Sequence, residues 1–294
     1  MRTALIDADI LKYLAGFACQ KEIWTHKPTG EWFEGKDAAN TWFKESMGAP
    51  KAGILKWMQE HWVPEDWEME LELKEWWSCK QILDDKINLC KETNNCERVR
   101  LFFTPHKVFR HDIAVTRGYK ENRKDLVKPV YADKIFEYLT LTYPCEIGEN
   151  IEADDLLGIN QTAHTVICSN DKDLMMIPGA HFNFALKEED ERDPHEWQDL
   201  IGADQCFFTQ LIAGDSTDNI QGVPSIGVKK ARDIVDMFGD DLDGLVEHIE
   251  GLYEAHYPNH KEVMEEHAAL VWILRSGETI ETAGWRTLLG VEAK

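Results

Sequence analysis

Three short apolar runs constrain the fold of this chain more than any other feature. They are Ala4 to Ile6, Val99 to Phe103 and Thr165 to Cys168, and each is followed by turn-forming or acidic residues. Short apolar runs rich in β-branched and aromatic side chains are typical of buried parallel strands. Helical patterns at 132–142 and 152–163 lie between them. This alternation predicts an α/β fold with a mainly parallel central sheet flanked by helices.

The composition is compatible with such a fold. The chain has 294 residues, 43% hydrophobic and 29% charged, which is typical of a globular protein. No apolar run is long enough to span a bilayer, and Met1 leads into the first strand without a signal sequence, so we expect a cytoplasmic protein without membrane contact. The seven cysteines form no C-x-x-C pair, which favours buried free thiols. A metal cluster of Cys79, Cys90 and Cys96 is the weaker alternative.

The distribution of charge is more informative than its sum. A net charge of −22 argues against a general nucleic-acid binder, because phosphate contacts require Lys and Arg. Between Lys107 and Lys134, however, eight Lys or Arg residues stand against four Asp or Glu residues. This local excess of positive charge is a candidate nucleic-acid surface in an otherwise acidic protein.

The segment from Thr41 to Cys90 has a helical pattern and is rich in tryptophan. Its tryptophans are Trp42, Trp57, Trp62, Trp67, Trp76 and Trp77. Such large side chains commonly fill cores and pack helices, so a packing role is favoured. A surface on which nucleic-acid bases stack is the alternative.

Acidic residues occur in four groups, at strand ends or at helix starts. The groups are Asp7 with Asp9; Glu152, Asp154 and Asp155; Asp171 with Asp173; and Asp215 with Asp218. The functional crevice of an open α/β sheet lies at the carboxyl ends of its strands, where crowded carboxylates require cations. Oxygen ligands of this kind select Mg²⁺ or Mn²⁺. Two such ions can activate water and stabilise the leaving oxygen in phosphodiester cleavage.

The segment 214–231 has the pattern of a tight turn between two helices. Gly222, Pro224 and Gly227 favour the turn, and Gly227 opens the second helix just before Lys229 and Lys230. Free amides at a helix start bind phosphate, and nearby lysines add positive charge. An ordinary helix-turn-helix connection is the alternative, but the Asp-x-x-Asp pair directly before this turn favours a functional role.

Together these motifs resemble the flap endonuclease and 5′-3′ exonuclease family, which includes bacteriophage exonucleases and the 5′ nuclease domain of bacterial DNA polymerase I. The matching pieces, in chain order, are Leu5 to Asp9, Phe109-Arg110, Gly118 to Arg123, Ile151 to Asp155, Ser169 to Leu174, and the 214–231 hairpin. The resemblance implies a PIN-like sheet, a helical arch and a helix-three-turn-helix subdomain. We expect an α/β nuclease core over 1–205, with the arch at 104–130, and a helical subdomain over 206–294 that carries the 214–231 motif.

The resemblance also implies an activity. We expect a structure-dependent 5′ nuclease, with 5′-3′ exonuclease or flap endonuclease action on DNA that has a 5′ end, a nick or a flap. It would use two Mg²⁺ or Mn²⁺ ions, act as a monomer in the cytoplasm of a bacterium or phage host, and work with replication or recombination proteins. A PIN-like ribonuclease is one alternative. The other is a protein of the same fold that binds branched DNA with weakened catalysis.

The resemblance assigns roles to individual residues. The implied metal ligands are Asp7, Glu152, Asp154 and, through water, Asp155 in the first group, and Asp171, Asp173, Asp215 and Asp218 in the second. The implied catalytic pair at the scissile phosphate is Lys120 and Arg123. The implied DNA contacts are these two residues and Arg110, Tyr119, Gly222, Ser225, Gly227, Lys229 and Lys230. Among them, Tyr119 would stack on a base. Main-chain carbonyls of Val223 and Ile226 would hold a K⁺ ion.

This sequence departs from the family pattern at two positions. The strand before the arch normally ends in an aspartate of the first metal group, but Pro105 stands at that place. Ser225 occupies a hairpin position where glycine is commoner. Asp9 lies beside the matched position and is a candidate outer-shell residue. The missing carboxylate predicts a weaker first ion and supports the alternative with weakened catalysis.

Overall fold

The computed structural model describes residues 1–124, 126–186 and 190–291. Its strands are β1 (Thr3–Asp7), β2 (Gln20–His26), β3 (Glu31–Glu34), β4 (Trp67–Leu73), β5 (Arg98–Phe103), β6 (Cys145–Ile147), β7 (Thr165–Cys168), β8 (Gly179–Phe182) and β9 (His195–Gln198). Its helices are α1 (Ala8–Ala18), α2 (Lys36–Ser46), α3 (Ile54–His61), α4 (Trp76–Thr93), α5 (Arg110–Ile113), α6 (Ala132–Thr142), α7 (Ala153–Asn160), α8 (Leu200–Ala213), α9 (Val228–Phe238), α10 (Leu242–Glu254), α11 (His260–Val271) and α12 (Trp285–Leu288).

The central sheet has six strands in the order β6, β5, β1, β7, β8, β9. β1 lies between β5 and β7 and is parallel to both, whereas β9 at one edge is antiparallel to β8. Leu5, Phe102 and Ile167 of the three inner strands are buried in one core cluster with Leu157 of α7, as apolar runs covered by helices require. The predicted mainly parallel sheet with flanking helices is therefore confirmed.

The region after the sheet is helical, as the sequence predicts. Beyond Gln198 the described residues form helices α8 to α12 and no strand. These helices share a core that contains Phe207, Phe208, Tyr253 and Trp272. Across the residues that the structure describes, there is no helix with the length and apolar character that a membrane crossing requires.

Contacts divide the chain into two compact units. One unit comprises residues 1–11, 84–127 and 137–294, and the other comprises 12–83 and 128–136. Within the first unit α8 packs against the 3₁₀ turn Lys172–Met176 and against α11. The helical region thus shares a compact unit with the central sheet. This division differs from the boundary at 205/206, which stays a prediction.

The second unit contains an antiparallel sheet that the sequence analysis missed. Strands β3, β2 and β4 form it, so the helical prediction for Thr41 to Cys90 is wrong over β4. That strand reads Trp-Glu-Met-Glu-Leu-Glu-Leu, an alternation with a period of two that is typical of a strand. Trp42, Trp57, Trp62 and Trp67 pack in one cluster with Phe43. Their packing role is confirmed for this cluster, whereas Trp77 is 63% exposed.

The predicted helical arch over 104–130 is wrong as a helical element. The described residues of this segment form only the four-residue helix α5 and the 3₁₀ turn Glu121–Arg123. Helices in proteins are stabilised mainly by packing of an amphipathic face, and this segment has no apolar pattern long enough to form one. Its backbone instead bonds to the turn before α9, since the Lys120 amide donates to the Asp218 carbonyl at 3.0 Å.

Candidate active site

Asp7 ends the strand β1 and is 3% exposed. Its Oδ1 accepts the Ile10 amide at 3.0 Å, and its Oδ2 accepts the Ser169 hydroxyl at 2.9 Å. Burial raises the pKa of Asp7 to about 7, with help from the charges of Asp9 and Asp171, although both hydrogen bonds act in the opposite direction. The charged form of this carboxylate therefore gains strongly from a nearby cation.

The first turn of α7 brings a second carboxylate to the same place. Asp154 lies in that turn. Burial raises the pKa of Asp154 well above its usual value, and the charges of Asp7 and Asp171 raise it further. The ends of β1 and β7 and the start of α7 thus concentrate negative charge, as the parallel topology predicts.

Glu152 is the residue before α7 and is surrounded by cations. Lys120 Nζ donates to Glu152 Oε1 at 2.5 Å, and Arg110 Nη1 lies 3.2 Å from Glu152 Oε2. Burial alone would raise the pKa of Glu152, but the charges of Arg110 and Lys120 lower it to about 2. Glu152 is therefore an anion at neutral pH, and Lys120 is directed into the carboxylate cluster.

The predicted base-stacking role of Tyr119 is wrong. The side chain is 5% exposed, and its hydroxyl lies 2.7 Å from Glu152 Oε2 and 2.8 Å from Asp218 Oδ2. Burial raises the pKa of Tyr119 well above its usual value, and the charge of Glu152 adds to this effect. The hydroxyl consequently keeps its proton and bridges two acidic residues from inside the protein.

The predicted DNA contact of Arg110 and the predicted ion contact of Asp155 are also wrong. Arg110 is 2% exposed and forms two parallel hydrogen bonds with Asp155, at 2.6 and 2.8 Å. Asp155 is 0% exposed and also accepts the amides of Glu152 and Leu274. Its lone pairs are thus directed to these donors, which is the behaviour of a buried structural carboxylate.

The second acidic group follows β7 and α8. Asp171 caps the 3₁₀ turn, since its Oδ1 accepts the Asp173 amide at 2.9 Å. Burial raises the pKa of Asp173 to about 7, and the charges of Asp171 and Asp215 contribute. Asp215 accepts the Thr217 amide at 2.7 Å. Burial would raise the pKa of Asp215, but this amide and other donors lower it below its usual value.

Asp218 faces the basic pair. Arg123 Nη2 lies 2.7 Å from Asp218 Oδ1, and Lys120 Nζ lies 3.6 Å from Asp218 Oδ2. Burial raises the pKa of Asp218 despite these two cations. Asp215 and Asp218 lie in a turn closed by the Asp215–Ile220 bridge and not on a helix. The turn nonetheless brings Lys120 and Arg123 beside the acidic residues.

Pro105 lies just beyond β5, in the loop that the sequence analysis singled out. The preceding residue, Thr104, links two acidic regions, since its amide donates to Asp9 Oδ2 at 2.8 Å and its hydroxyl accepts the Ala153 amide at 3.0 Å. Asp9 thus lies near the strand end that carries Pro105. Thr104 and Ser169 contact site residues and were not predicted from the sequence. A single hydroxyl residue forms no spaced motif that would indicate a site.

The donor set suits a hard divalent cation. Its side chains supply carboxylate oxygens, which Mg²⁺ and Mn²⁺ prefer to sulfur ligands. Within the described ranges, no three His, Cys, Asp or Glu side chains already adopt a complete metal-ligand arrangement. Asp171 is nonetheless close enough to the other carboxylates that its charge adds to burial in raising the pKa of Asp7, Asp154 and Asp173.

The 214–231 hairpin is tightly closed at its base. The Val223 amide donates to the Ile212 carbonyl at 2.7 Å, and Tyr257 donates its hydroxyl hydrogen to the Gly222 carbonyl at 2.6 Å. Gly214 and Gly222 have φ of 71° and 62°. A Cβ on Gly222 would lie 2.2 Å from the Gly214 nitrogen, so no larger residue fits there.

The hairpin residues differ in exposure. Gly222 is buried, and its contact with DNA stays a prediction. Ser225, Gly227, Lys229 and Lys230 are exposed, and Gly227 caps α9. Ser225 has φ of 64°, in the left-handed region that explains why glycine is commoner there. The side chains of Val223 and Ile226 are buried, and the Val223 carbonyl accepts the Ile226 amide at 3.2 Å.

The sequence is similar to several curated nucleases. It is 28% identical over 194 residues to a 5′-3′ exonuclease of Buchnera aphidicola from Acyrthosiphon pisum, covering 60% of this chain and 65% of that protein. It is 30% identical over 123 residues to the flap endonuclease of Escherichia phage T5, covering 38% and 42%. It is 33% identical over 156 residues to DNA polymerase I of Rhizobium leguminosarum, covering 48% and 15%. The chain thus spans less than two thirds of each relative. No family model matches it.

Solved structures of phage T5 proteins share the fold. The T5 5′-exonuclease with bound zinc ions has a TM-score of 0.52 at 18% identity, over 92% of this chain and 89% of that one. The T5 flap endonuclease in a complex with DNA and metal ions gives the same TM-score, identity and coverage. The sequence similarities confirm the resemblance to the flap endonuclease and 5′-3′ exonuclease family, and the structural similarities agree with the fold.

Proposed function

We propose that this chain is a divalent-metal-dependent 5′ nuclease that cleaves DNA at 5′ ends, nicks or flaps. One observation carries the proposal. The carboxylates of Asp7, Asp154 and Asp173, from β1, α7 and the 3₁₀ turn, are buried or partly buried around Asp171, and burial together with the charge of Asp171 raises the pKa of Asp7 and that of Asp173 to about 7. Anions held together in this way are typical of sites that bind cations for a function. The names of the similar proteins support the same activity.

Two sets of oxygen ligands are available for Mg²⁺ or Mn²⁺. The first set is Asp7, Glu152 and Asp154, and the second is Asp171, Asp173 and Asp215, with Asp218 in support of the second. Bound divalent ions at such positions lower the pKa of water and stabilise negative charge on phosphate oxygens. The remaining tasks, which are to hold and orient the DNA, belong to the side chains and backbone of this chain.

Lys120 and Arg123 are suited to hold the scissile phosphate. Their side chains are 24% and 35% exposed, and both already pair with the acidic residues Glu152 and Asp218. An ammonium and a guanidinium in this position can shift their hydrogen bonds to a phosphate and stabilise the charge that develops on it. Their location beside the carboxylates, rather than on a separate helix face, favours a catalytic role over a solvated surface.

The exposed hairpin residues are suited to hold duplex DNA away from the cleaved bond. The free amides after Gly227 and the ammonium groups of Lys229 and Lys230 can contact phosphates. We further propose that carbonyls at Val223 and Ile226 bind K⁺ there. We also propose that the protein acts as a monomer in the cytoplasm, together with replication or recombination proteins.

A labelled-substrate assay tests the proposal. DNA substrates with a 5′ flap, a nick or a blunt end would be incubated with Mg²⁺, with Mn²⁺ or with chelator, and the product lengths would be measured. We expect cleavage that requires the ion and depends on the 5′ structure. Asp173→Asn should abolish cleavage, whereas Asp85→Asn, at an exposed position of α4, should have no effect. Cleavage in the presence of chelator would contradict the proposal.

The same assay tests the second candidate function, which the proline at position 105 favours. A protein with weakened catalysis would bind flapped DNA tightly in Ca²⁺ yet release no product in Mg²⁺ or Mn²⁺. Matched RNA substrates would distinguish the PIN-like ribonuclease, since preferential cleavage of single-stranded RNA would exclude a dedicated DNA enzyme. Product formation from the DNA flap alone would favour the proposed 5′ nuclease over both.

A further inference from the structure

Arg110 is a fully enclosed cation that the proposed chemistry does not use. Its Nε donates to the Leu270 carbonyl at 3.0 Å, and Nη2 donates to the Trp272 carbonyl at 2.5 Å. The same guanidinium forms the paired hydrogen bonds with Asp155. The backbone at and just beyond the end of α11, in a part of the chain without any recognisable motif, therefore holds this arginine in one orientation.

Asp155 links the guanidinium of Arg110 to the backbone at the start of α7. Its Oδ2 accepts the Glu152 amide at 3.0 Å, while its Oδ1 accepts the Leu274 amide at 3.1 Å. A carboxylate that receives donors from both sides has little freedom to turn, because each lost bond would leave a buried group unsatisfied. The backbone of Glu152 is thereby fixed relative to the segment that ends at Leu274.

Arg110 also contacts the side chain of Glu152 directly. Its Nη1 lies 3.2 Å from Glu152 Oε2, on a carboxylate whose Oε1 faces Lys120. Glu152 is thus held by its backbone through Asp155 and by its side chain through Arg110. Residues that orient a metal ligand in this manner contribute to the affinity for the metal ion, although they do not contact the ion themselves.

We propose that Arg110, held by the carbonyls of Leu270 and Trp272, is a positioning residue that orients Glu152 for the first metal ion. The inference rests on the proposed nuclease function and extends it, because it gives the C-terminal segment a role in the site. Arg110 acts through Glu152 and Asp155 and does not itself contact DNA or an ion.

The test must separate positioning from folding. Removing Arg110 alone would leave Asp155 buried without its counter-ion, which commonly unfolds a protein. The double variant Arg110→Met/Asp155→Leu removes both charges at similar volume, and such replacements are often tolerated. Arg275→Met/Asp204→Leu is the matched control, since Arg275 Nη1 and Asp204 Oδ1 form a second, largely buried pair at 2.7 Å. The control leaves every contact of Glu152 in place.

The measurement is Mn²⁺ binding by calorimetry, alongside thermal unfolding in chelator. The full-length parent is expected to bind two ions. In Arg110→Met/Asp155→Leu one of the two should bind about tenfold more weakly or worse, the usual scale for a lost partner of a metal ligand. The variant should still unfold cooperatively in chelator, at a lower temperature than the parent, because the amides of Glu152 and Leu274 lose their acceptor. The control pair should keep both affinities. Arg110→Lys, which keeps the charge but not the paired geometry, should fold and bind one ion more weakly than the parent.

Each result decides between the two hypotheses. Unchanged Mn²⁺ affinity in the double variant, or an equal loss in the control pair, would overturn the positioning role while leaving the proposed function intact. If the double variant failed to fold, Arg110→Lys would decide in its place, and parent-like affinity there would also overturn the inference. A parent that binds no Mn²⁺ would instead overturn the proposed function and this inference together.

Discussion

Asp7→Asn is expected to stabilise the metal-free protein at high pH. The substitution keeps the shape of the side chain, and an amide oxygen can accept the Ile10 amide as Asp7 Oδ1 does at 3.0 Å. The amide nitrogen can donate to the Ser169 hydroxyl, which lies 2.9 Å from Oδ2. What the substitution removes is a negative charge on a side chain that is 3% exposed.

The magnitude follows from the shift of the pKa of Asp7, which burial raises from 3.8 to about 7. The folded state holds the proton more tightly than the unfolded state, so this group stabilises the protein most below pH 4, and the stabilisation is lost as the pH rises to 7. Each pKa unit corresponds to about 1.4 kcal/mol, which gives a penalty of up to about 4 kcal/mol above pH 7. Asparagine carries no such penalty.

Urea unfolding in chelator at pH 4.5 and pH 8, which cover most of the interval between the two pKa values, measures this effect. We expect the stability advantage of Asp7→Asn over the parent to be small at pH 4.5, where the carboxyl group of the unfolded parent has begun to ionise, and large at pH 8. Asp199→Asn is the control, because Asp199 is exposed and its carboxylate likewise accepts a helix amide, that of Gly202 at 2.7 Å. Equal or lower stability of Asp7→Asn at pH 8 would refute a large burial penalty at this position.

Three further predictions concern the proposed activity. Asp171→Asn should lower the single-turnover cleavage rate on the order of a thousandfold or more, since it removes a ligand charge but keeps the shape; undiminished turnover in saturating Mg²⁺ would exclude two-metal catalysis. Lys229→Glu/Lys230→Glu should weaken duplex binding in Ca²⁺ and flatten its salt dependence without moving the cleavage position; unchanged affinity would exclude the hairpin as a DNA contact. Pro105→Asp should lower the half-saturating Mg²⁺ concentration, as one added charged ligand is worth about 1–3 kcal/mol; an identical titration by a folded variant would mean that Pro105 does not face the ions.

Much of the central sheet could be predicted because its signals are local. The run from Thr165 to Cys168 and the helical pattern at 132–142 coincide with β7 and α6. Both depend on periodicity and on turn residues within a few positions, which a sequence displays directly. The strand β4 was missed because a tryptophan-rich context suggested helices, although its alternation of apolar and acidic residues was visible.

The site was harder to predict, because burial is a property of the whole fold. Arg110, Tyr119 and Asp155 look like a DNA contact, a stacking ring and a metal ligand when only their motifs are considered. Arg110 and Asp155 bond to Leu270, Trp272 and Leu274, which lie more than a hundred residues further along the chain, and no spacing rule connects them. Tyr119 is likewise buried by tertiary contacts, with Glu152 and Asp218. Motif and chemistry identify which residues gather at the site, whereas tertiary contacts decide which of them remain free to bind a ligand.

The closed base of the hairpin fixes the distance between the Asp215 carboxylate and the exposed turn. Asp215 and the turn at 222–227 belong to one backbone-bonded unit, since the Asp215 amide donates to the Ile220 carbonyl at 2.8 Å and Gly214 is pressed against Gly222. The spacing between the carboxylate and the exposed turn therefore cannot stretch or shorten without breaking these bonds. If the turn binds the duplex, this unit sets the distance from the bound phosphate to the cleaved bond. Cleavage should then occur at one fixed number of nucleotides from that phosphate, whatever the sequence of the DNA.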